Sequence, residues 1–258
     1  MISTLEKEIT LRFLKARKKD GFLNVISIFS FIGISLGVAV LIIVMSVMNG
    51  FRTELINKIV GFNAHITVKS YSNSIDEDKI NNKLKLISKN ISFSNSGEAI
   101  ILKNNNTKGI VLRGYEYNDL LKLEVLTNKK FKGELSQFDE NFISIGSELS
   151  FSLDLEIGDE LTLMSPSGVQ TIIGSMPKQK TFIVNSIFNS GLAEFDNNIA
   201  FIELNNLEEF FGYNPDERNL EIYLKNPNNI ESQKLIVKQV FDDEFVFSWA
   251  DMNSSLFS

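Results

Sequence analysis

Between Phe22 and Met48 the chain runs for twenty-seven residues without a charge. As a helix, such a run is about 40 Å long, more than the ~30 Å hydrocarbon core of a bilayer requires. A cleavable export signal has an apolar region of only about 7–15 residues and ends at small residues. This run leaves through VMSVMNGF, which is a poor cleavage site. A helix buried in a soluble core rarely stays apolar on every face over so many turns. The run therefore reads as a membrane span.

Charge sets its expected orientation. Residues 1–20 carry six Lys or Arg against three acids, and the remainder carries twenty against twenty-nine. Lys and Arg beside a first span stay on the cytoplasmic side, so the N-terminus is expected inside and residues beyond about Arg52 outside. The predicted organisation has a cytoplasmic segment over 1–20, with Leu5, Ile9, Phe13 and Ala16 spaced as on an amphipathic surface helix. A transmembrane helix with an external extension follows over 21–60, then an external domain over 61–250. Residues 251–258 read as the start of a further helix, cut short. Within the span, Gly33 and Gly37 form a G-x-x-x-G pair that lets a second helix approach closely.

With no cysteine and one histidine, disulfides, thiolate metal sites, a cysteine nucleophile and a lipidated N-terminal cysteine are excluded. A net charge of −6 argues against nucleic acid as a partner. No G-x-x-x-x-G-K-[ST] and no G-x-G-x-x-G occurs, so the chain offers no phosphate-cradling loop of its own. His65 stands at the start of a predicted strand, without a G-x-S-x-G elbow, and reads as a locally bonded strand histidine. Glu194 and Asp196 read as a solvated acidic turn. No metal site and no catalytic residue is assigned.

Beyond Gly61 the patterns alternate between periods of about two and 3.6. AHITVKS predicts a strand, and DEDKINNKLKLISK a helix through Ile80, Leu84 and Ile87. EAIILKNNNTKGIVLRGY is the strongest hairpin signal. A short helix, a Gly-Asp turn and a strand are predicted from IGSELSFSLDLEIGDELTLMSP. KTFIVNSIF and NNIAFIEL read as strands, NNLEEFFGY as a helix, and the C-terminal part as strand–helix–strand. The class is α+β, in two lobes.

One connection stands out. SPSGVQTIIGSMPKQK, residues 165–180, joins two predicted strands, where about 2–5 residues are usual. It carries Val169, Ile172, Ile173 and Met176 between Pro166 and Pro177, with Lys178, Gln179 and Lys180 at its base, able to hydrogen-bond a partner. Two readings stay open on these residues: an apolar hairpin awaiting a partner surface, or extended strands whose apolar residues pack back on the domain.

The lead LRFLKAR, the centre GISLGV and the exit SVMNGF resemble the N-terminus of the LolC/LolE lipoprotein-releasing permeases, within the MacB/FtsX-type class. MSPSG…SMPKQKTFIVNSIFNSGLAEFD and IAFIELNNLEEFF resemble that family's external domain. The resemblance implies one transmembrane helix followed by a two-lobed MacB-like periplasmic α+β domain, the front part of a four-span protein of the bacterial inner membrane. It also implies a non-ATPase permease subunit working with a LolD-type ATPase, which would bind the ATP and Mg, and with a second LolC/LolE-type subunit or a second copy of itself. The cargo would be lipoproteins, passed to the periplasmic carrier LolA. On this resemblance Pro166, Val169, Ile172, Ile173, Met176 and Pro177 form a carrier-binding hook, with Lys178 and Gln179 as the adjoining pad. Val40, Val44, Val47 and Met48 would line the lipoprotein cavity. A MacB-like exporter and an FtsX-like regulatory subunit are the alternatives within the class. A single-pass adaptor and a hydrolase built on His65 are the alternatives outside it.

Overall fold

The computed structural model describes residues 4–14, 21–70, 74–103, 106–127, 130–135, 141–166, 169–171 and 174–252. Two compact units divide between Ile56 and Asn57.

The N-terminal unit holds α1 (Thr4–Leu14) and most of α2 (Gly21–Phe62). On α1, Leu5 and Ile9 are exposed, and Arg12 pairs with Glu8 one turn away at 3.9 Å. Within α2 the stretch Val25–Phe51 is long and apolar enough to cross a membrane, with a mean hydropathy of 2.8. Its large apolar side chains are exposed throughout, an arrangement that lipid stabilises and water does not, since every backbone group is already bonded within the helix. The helix passes Gly50 without a break, and Thr53 donates its hydroxyl back to the Asn49 carbonyl at 2.9 Å.

In the second unit the strands are β1 (Ile66–Lys69), β2 (Ser88–Lys103), β3 (Asn106–Tyr115), β4 (Lys132–Gly133), β5 (Phe142–Gly146), β6 (Glu160–Met164), β7 (Val169–Thr171), β8 (Gly174–Met176), β9 (Gln179–Phe188), β10 (Ile199–Glu203), β11 (Asn219–Leu224) and β12 (Phe245–Ser248). Ten of them form one sheet in the order β12-β1-β11-β2-β3-β10-β5-β9-β4, with β6 against both β2 and β9. The pairs β3–β10 and β5–β9 are parallel and the rest antiparallel. The helices are α3 (Asn82–Ile87), α4 (Tyr117–Leu120), α5 (Glu124–Thr127), α6 (Ser147–Leu153), α7 (Ala193–Asn198), α8 (Leu204–Phe211), α9 (Ile230–Val240) and α10 (Trp249–Met252).

Alternation along the strands buries one set of side chains and so builds the core. One cluster gathers Ile66, Val68, Leu220 and Ile222 under Leu84 of α3 and Val237 of α9. A second gathers Ile101, Leu112, Ile143, Leu163 and Phe182 under Leu207 and Phe210 of α8. A third surrounds Phe62, at the end of α2, with Tyr115, Phe188 and Phe201. The long strand β2 pairs with β11 through Ile91 and Phe93 and with β6 through Ile100 to Leu102, so one strand carries both ends of the sheet.

Two expectations change. The helix predicted across Asp76–Lys89 is cut in two by its own polar residues. Asp76 accepts the Asp78 amide at 3.0 Å and caps a 3-10 turn, Glu77–Lys79; Asn81 then accepts the amides of Lys83 and Leu84 and starts α3. Short side chains that bond nearby backbone favour helix starts over helix interiors. The hairpin forms as predicted, Lys103 facing Asn106, but its first strand begins at Ser88 and not at Glu98. The Ser- and Asn-rich half shows weak alternation, and β11 supplies the pairing that the local pattern does not.

Helix α8 is tightly placed. Glu203 caps its start by accepting the Asn206 amide at 3.1 Å, and Gly212 ends it with φ 74°. It packs so close on β2 and β3 that a Cβ on Gly114 would lie 2.9 Å from Leu207 Cβ, and one on Gly97 would lie 2.7 Å from the Phe211 ring.

Candidate functional site

The connection between β6 and β9 folds as a hairpin of its own. The main ladder runs from Glu160–Ile183 to Met164–Gln179, and one further bond, Ser165 N–H to the Lys178 carbonyl at 2.9 Å, closes it. Beyond this, β7 and β8 pair as a separate two-stranded sheet, with Val169 facing Met176 and Thr171 facing Gly174. Had the β6–β9 register continued, Val169 would face Gly174, so the ladder slips by two residues at the junction. Pro166 and Pro177 stand in that junction, and proline has no N–H to give a ladder. The hairpin is therefore set off from the sheet by its slipped register and its two prolines.

Of the predicted hook residues, Pro166, Met176 and Pro177 are exposed, Met176 to 57%. Ile172 and Ile173 lie outside the described residues, as does the side chain of Val169. The predicted pad residues differ from each other. Gln179 is exposed, whereas Lys178 is half-buried and donates its ammonium to the Glu209 carbonyl of α8 at 2.6 Å. Two residues on, Lys180 reaches the same helix, donating to Asn206 Oδ1 at 3.1 Å and lying 3.6 Å from Glu209 Oε2. Its ammonium also stands 5.6 Å above the Phe182 ring. The sequence groups Lys180 with Lys178 and Gln179 at the base of this connection, and both lysines reach α8.

On α2, Val40, Val44, Val47 and Met48 are exposed, and nothing approaches within 4 Å of where a Cβ on Gly33 or Gly37 would lie. These positions present an apolar surface with a small-residue notch.

His65 is buried, and its Nδ1 accepts the Leu224 amide at 2.6 Å, where the pairing of β11 with β2 is irregular. Its backbone also bonds Ile222 and Trp249. The imidazole thus satisfies an amide that the irregular ladder leaves over, a structural task. Asp196 corrects the acidic-turn expectation: it is buried and accepts the Ser190 amide at 2.8 Å, pinning the segment before α7. Among the described residues no group of three or more histidine, aspartate and glutamate side chains is placed to hold a metal ion.

A buried polar cluster escaped the sequence reading. Glu221 of β11 accepts Arg113 Nη2 at 3.0 Å and Ser94 Oγ at 2.8 Å on one carboxylate oxygen. Its other oxygen accepts the Tyr115 hydroxyl at 2.8 Å and the Tyr223 hydroxyl at 3.0 Å. Arg113 also donates to Asn63 Oδ1 at 3.2 Å and lies over the Phe62 and Tyr115 rings. Burial would lower the Arg113 pKa, but Tyr115 and Glu221 beside it hold it above its ordinary range. Burial, then the neighbouring Glu221 charge, pushes the Tyr223 phenol up, and burial does the same for Tyr115, so both stay neutral donors. With four donors the carboxylate is saturated. It cannot serve as a base, and it ties β2, β3 and β11 to the residues that leave α2. The available signal was a single charge inside each of two apolar strands, VLRGY and NLEIYL.

The model of the MacB-like periplasmic core domain matches residues 27–238. The lipoprotein-releasing system transmembrane protein LolC of Neisseria meningitidis is 28% identical over 98% of this chain and 63% of its own length. The corresponding LolE of Haemophilus influenzae is 28% identical over 85% of this chain and 55% of its own. Among solved structures, the periplasmic region of MacB from Actinobacillus actinomycetemcomitans covers 77% of this chain and 94% of its own, at 11% identity and a TM-score of 0.47. The chain spans less than two thirds of the length of these two curated relatives. By the family match over most of its length, the chain belongs to the family of MacB-like periplasmic core domains.

Proposed function

We propose that this chain acts in a LolC/LolE-type permease that lifts lipoproteins out of the inner membrane and passes them to a LolA-type periplasmic carrier. The observation that carries this reading is the hairpin β7–β8, set off from the main sheet and presenting Met176 to solvent. An exposed apolar side chain on a projecting two-stranded element suits a partner's apolar cavity. The names of the LolC and LolE relatives support the cargo.

The physical demand is set by the lipid anchor. Each methylene leaving the bilayer costs about 0.8 kcal/mol, so a multiply acylated cargo costs tens of kcal/mol to extract. An apolar wall formed by Val40, Val44, Val47 and Met48 of α2 would lower that cost, and a LolD-type ATPase partner would supply the remainder by closing the wall. Gly33 and Gly37 would pack a neighbouring span, from the second permease subunit or from this one. The basic residues before the span favour a cytoplasmic N-terminus, which puts the domain in the periplasm.

Capture of a purified LolA carrier by the full chain in detergent micelles tests the reading. Wild type should retain the carrier, and Met176→Asp and Ile172→Asp/Ile173→Asp should each lose it while keeping a native circular dichroism spectrum. Equal capture by the variants would remove the hairpin's role. No capture by folded wild type would favour a MacB-like exporter or an FtsX-like regulatory subunit.

A further inference from the structure

The start of β2, the end of β11 and the α4–α5 segment enclose a cavity of about 370 Å³ beside Phe62, the last residue of α2. Its wall is divided in two. Phe62, Leu123, Val125 and Leu224 are buried and make an apolar floor. Lys89, Lys122 and Lys225 line the same cavity and are exposed, so three ammonium groups stand at its rim.

The charge of that rim is not cancelled. Glu124, the acid in the lining, pairs with Lys89, and Asp119 pairs with Lys122 at 2.6 Å. Lys225 pairs with no acid among the described residues and donates to the carbonyls of Lys85 and Leu86 at 3.3 and 2.9 Å. Those acceptors are neutral, and an ammonium has three N–H groups, so a full charge and one donor are left over. In the other two pairs the lysine side chains are more than half exposed. Ion pairs so open to water hold weakly and yield to a better-placed anion.

The interior is short of an acceptor as well. Asn90 lines the cavity opposite Tyr223, and its Nδ2 is buried with no hydrogen-bond partner. Buried donors are almost always satisfied, so this amide calls for a group that accepts. His65 does not offer its Nδ1, which already takes the Leu224 amide.

We propose that this cavity binds an anionic amphiphile, with a phosphate head among Lys122, Lys225 and Asn90 and the first carbons of its apolar stem on Phe62, Leu123 and Val125. Lysine serves phosphate as a point charge, and an apolar wall with a few convergent polar groups, at this volume, is the pattern of a ligand site. In a chain with a helix long and apolar enough to cross a membrane, an anionic phospholipid is the nearest such molecule. The proposal makes no use of the hairpin or of a carrier.

The full chain in nonionic detergent micelles tests it. Leu121 is exposed next to Lys122 and the chain has no cysteine, so Leu121→Cys carries a single fluorophore at the rim. Short-chain phosphatidylglycerol should shift its emission saturably. Phosphatidylcholine of equal chain length and glycerol phosphate should each bind at least about tenfold more weakly, the order of one charge-assisted hydrogen bond or a few buried methylenes. Lys122→Gln and Lys225→Gln should each weaken phosphatidylglycerol about tenfold. Glu124→Gln should tighten it about threefold, the order of one exposed ion pair. Circular dichroism checks the fold of each variant. Equal affinity for the two lipids, or for wild type and both lysine variants, overturns the anion site. Glycerol phosphate binding as tightly as the lipid would assign the rim to a free phosphate and overturn the apolar half. No saturable response to any of the three removes the site and leaves Asn90 to a bridging water.

Discussion

Replacing Glu221 by leucine should destabilise this domain more than replacing any exposed acid. Arg113 and Glu221 side chains are only 13% and 9% exposed, so their pair counts as buried. Removing one partner of a buried pair leaves the other charge uncompensated and costs about 3–5 kcal/mol. The variant also strips the acceptor from Ser94, Tyr115 and Tyr223, which places the cost toward the upper end. At roughly 2–4 °C per kcal/mol for a domain of this size, the melting midpoint should drop by roughly 6–20 °C. The chain's single tryptophan, Trp249, is buried beside β12 and reports unfolding by fluorescence in urea. Glu124→Leu is the control. Its pair with Lys89 is more than 60% exposed on both sides, so the change should cost about 0–1 kcal/mol. The double variant Arg113→Met/Glu221→Leu should recover part of the loss, because no charge is then stranded. A cost for Glu221→Leu no larger than the control's would mean that water reaches the pair and that the cluster does not hold the three strands together.

His65→Ala should lower stability by about 1–3 kcal/mol, because the Leu224 amide loses its acceptor inside the domain. Carrier capture by the folded variant should match wild type, and loss of function without loss of stability would revive a chemical role for the imidazole. Acid should loosen the C-terminal end of the domain. Burial opposes ionisation of Asp251, but hydrogen bonds from Lys234 and Ser248 hold its carboxyl below the ordinary range. A depressed carboxyl contributes stability that is present above its unfolded value and is lost as pH falls through the lower folded one. Trp249 fluorescence should therefore change below about pH 4, the ordinary aspartate region, and Asp251→Asn should remove that part of the titration.

The Ser248–Asp251 pair shows how far local sequence reaches. Ser248 accepts the Asp251 amide at 3.3 Å while Asp251 accepts the Ser248 amide at 2.6 Å. This reciprocal cap at the start of α10 is written in four consecutive residues, SWAD. The helix long and apolar enough to cross a membrane was equally legible, since twenty-seven uncharged residues stand in one run. The hairpin after β6 announced itself by the length of its connection and its prolines.

Neighbours within a few positions thus carry the alternating strands, the long apolar helix and the unusual connection, although the local caps at Asp76 and Asn81 went unread. Which strands lie side by side is set by the packed domain. Periodicity says which face of a strand is buried but not what stands next to it. Arg113 and Glu221 are 108 positions apart and meet because β2 lies between β3 and β11. Lys178 sits beside a predicted partner-binding hairpin, yet its ammonium belongs to a helix 31 residues further along the chain. Such contacts follow from sheet order and helix placement, which the packing of the whole core sets.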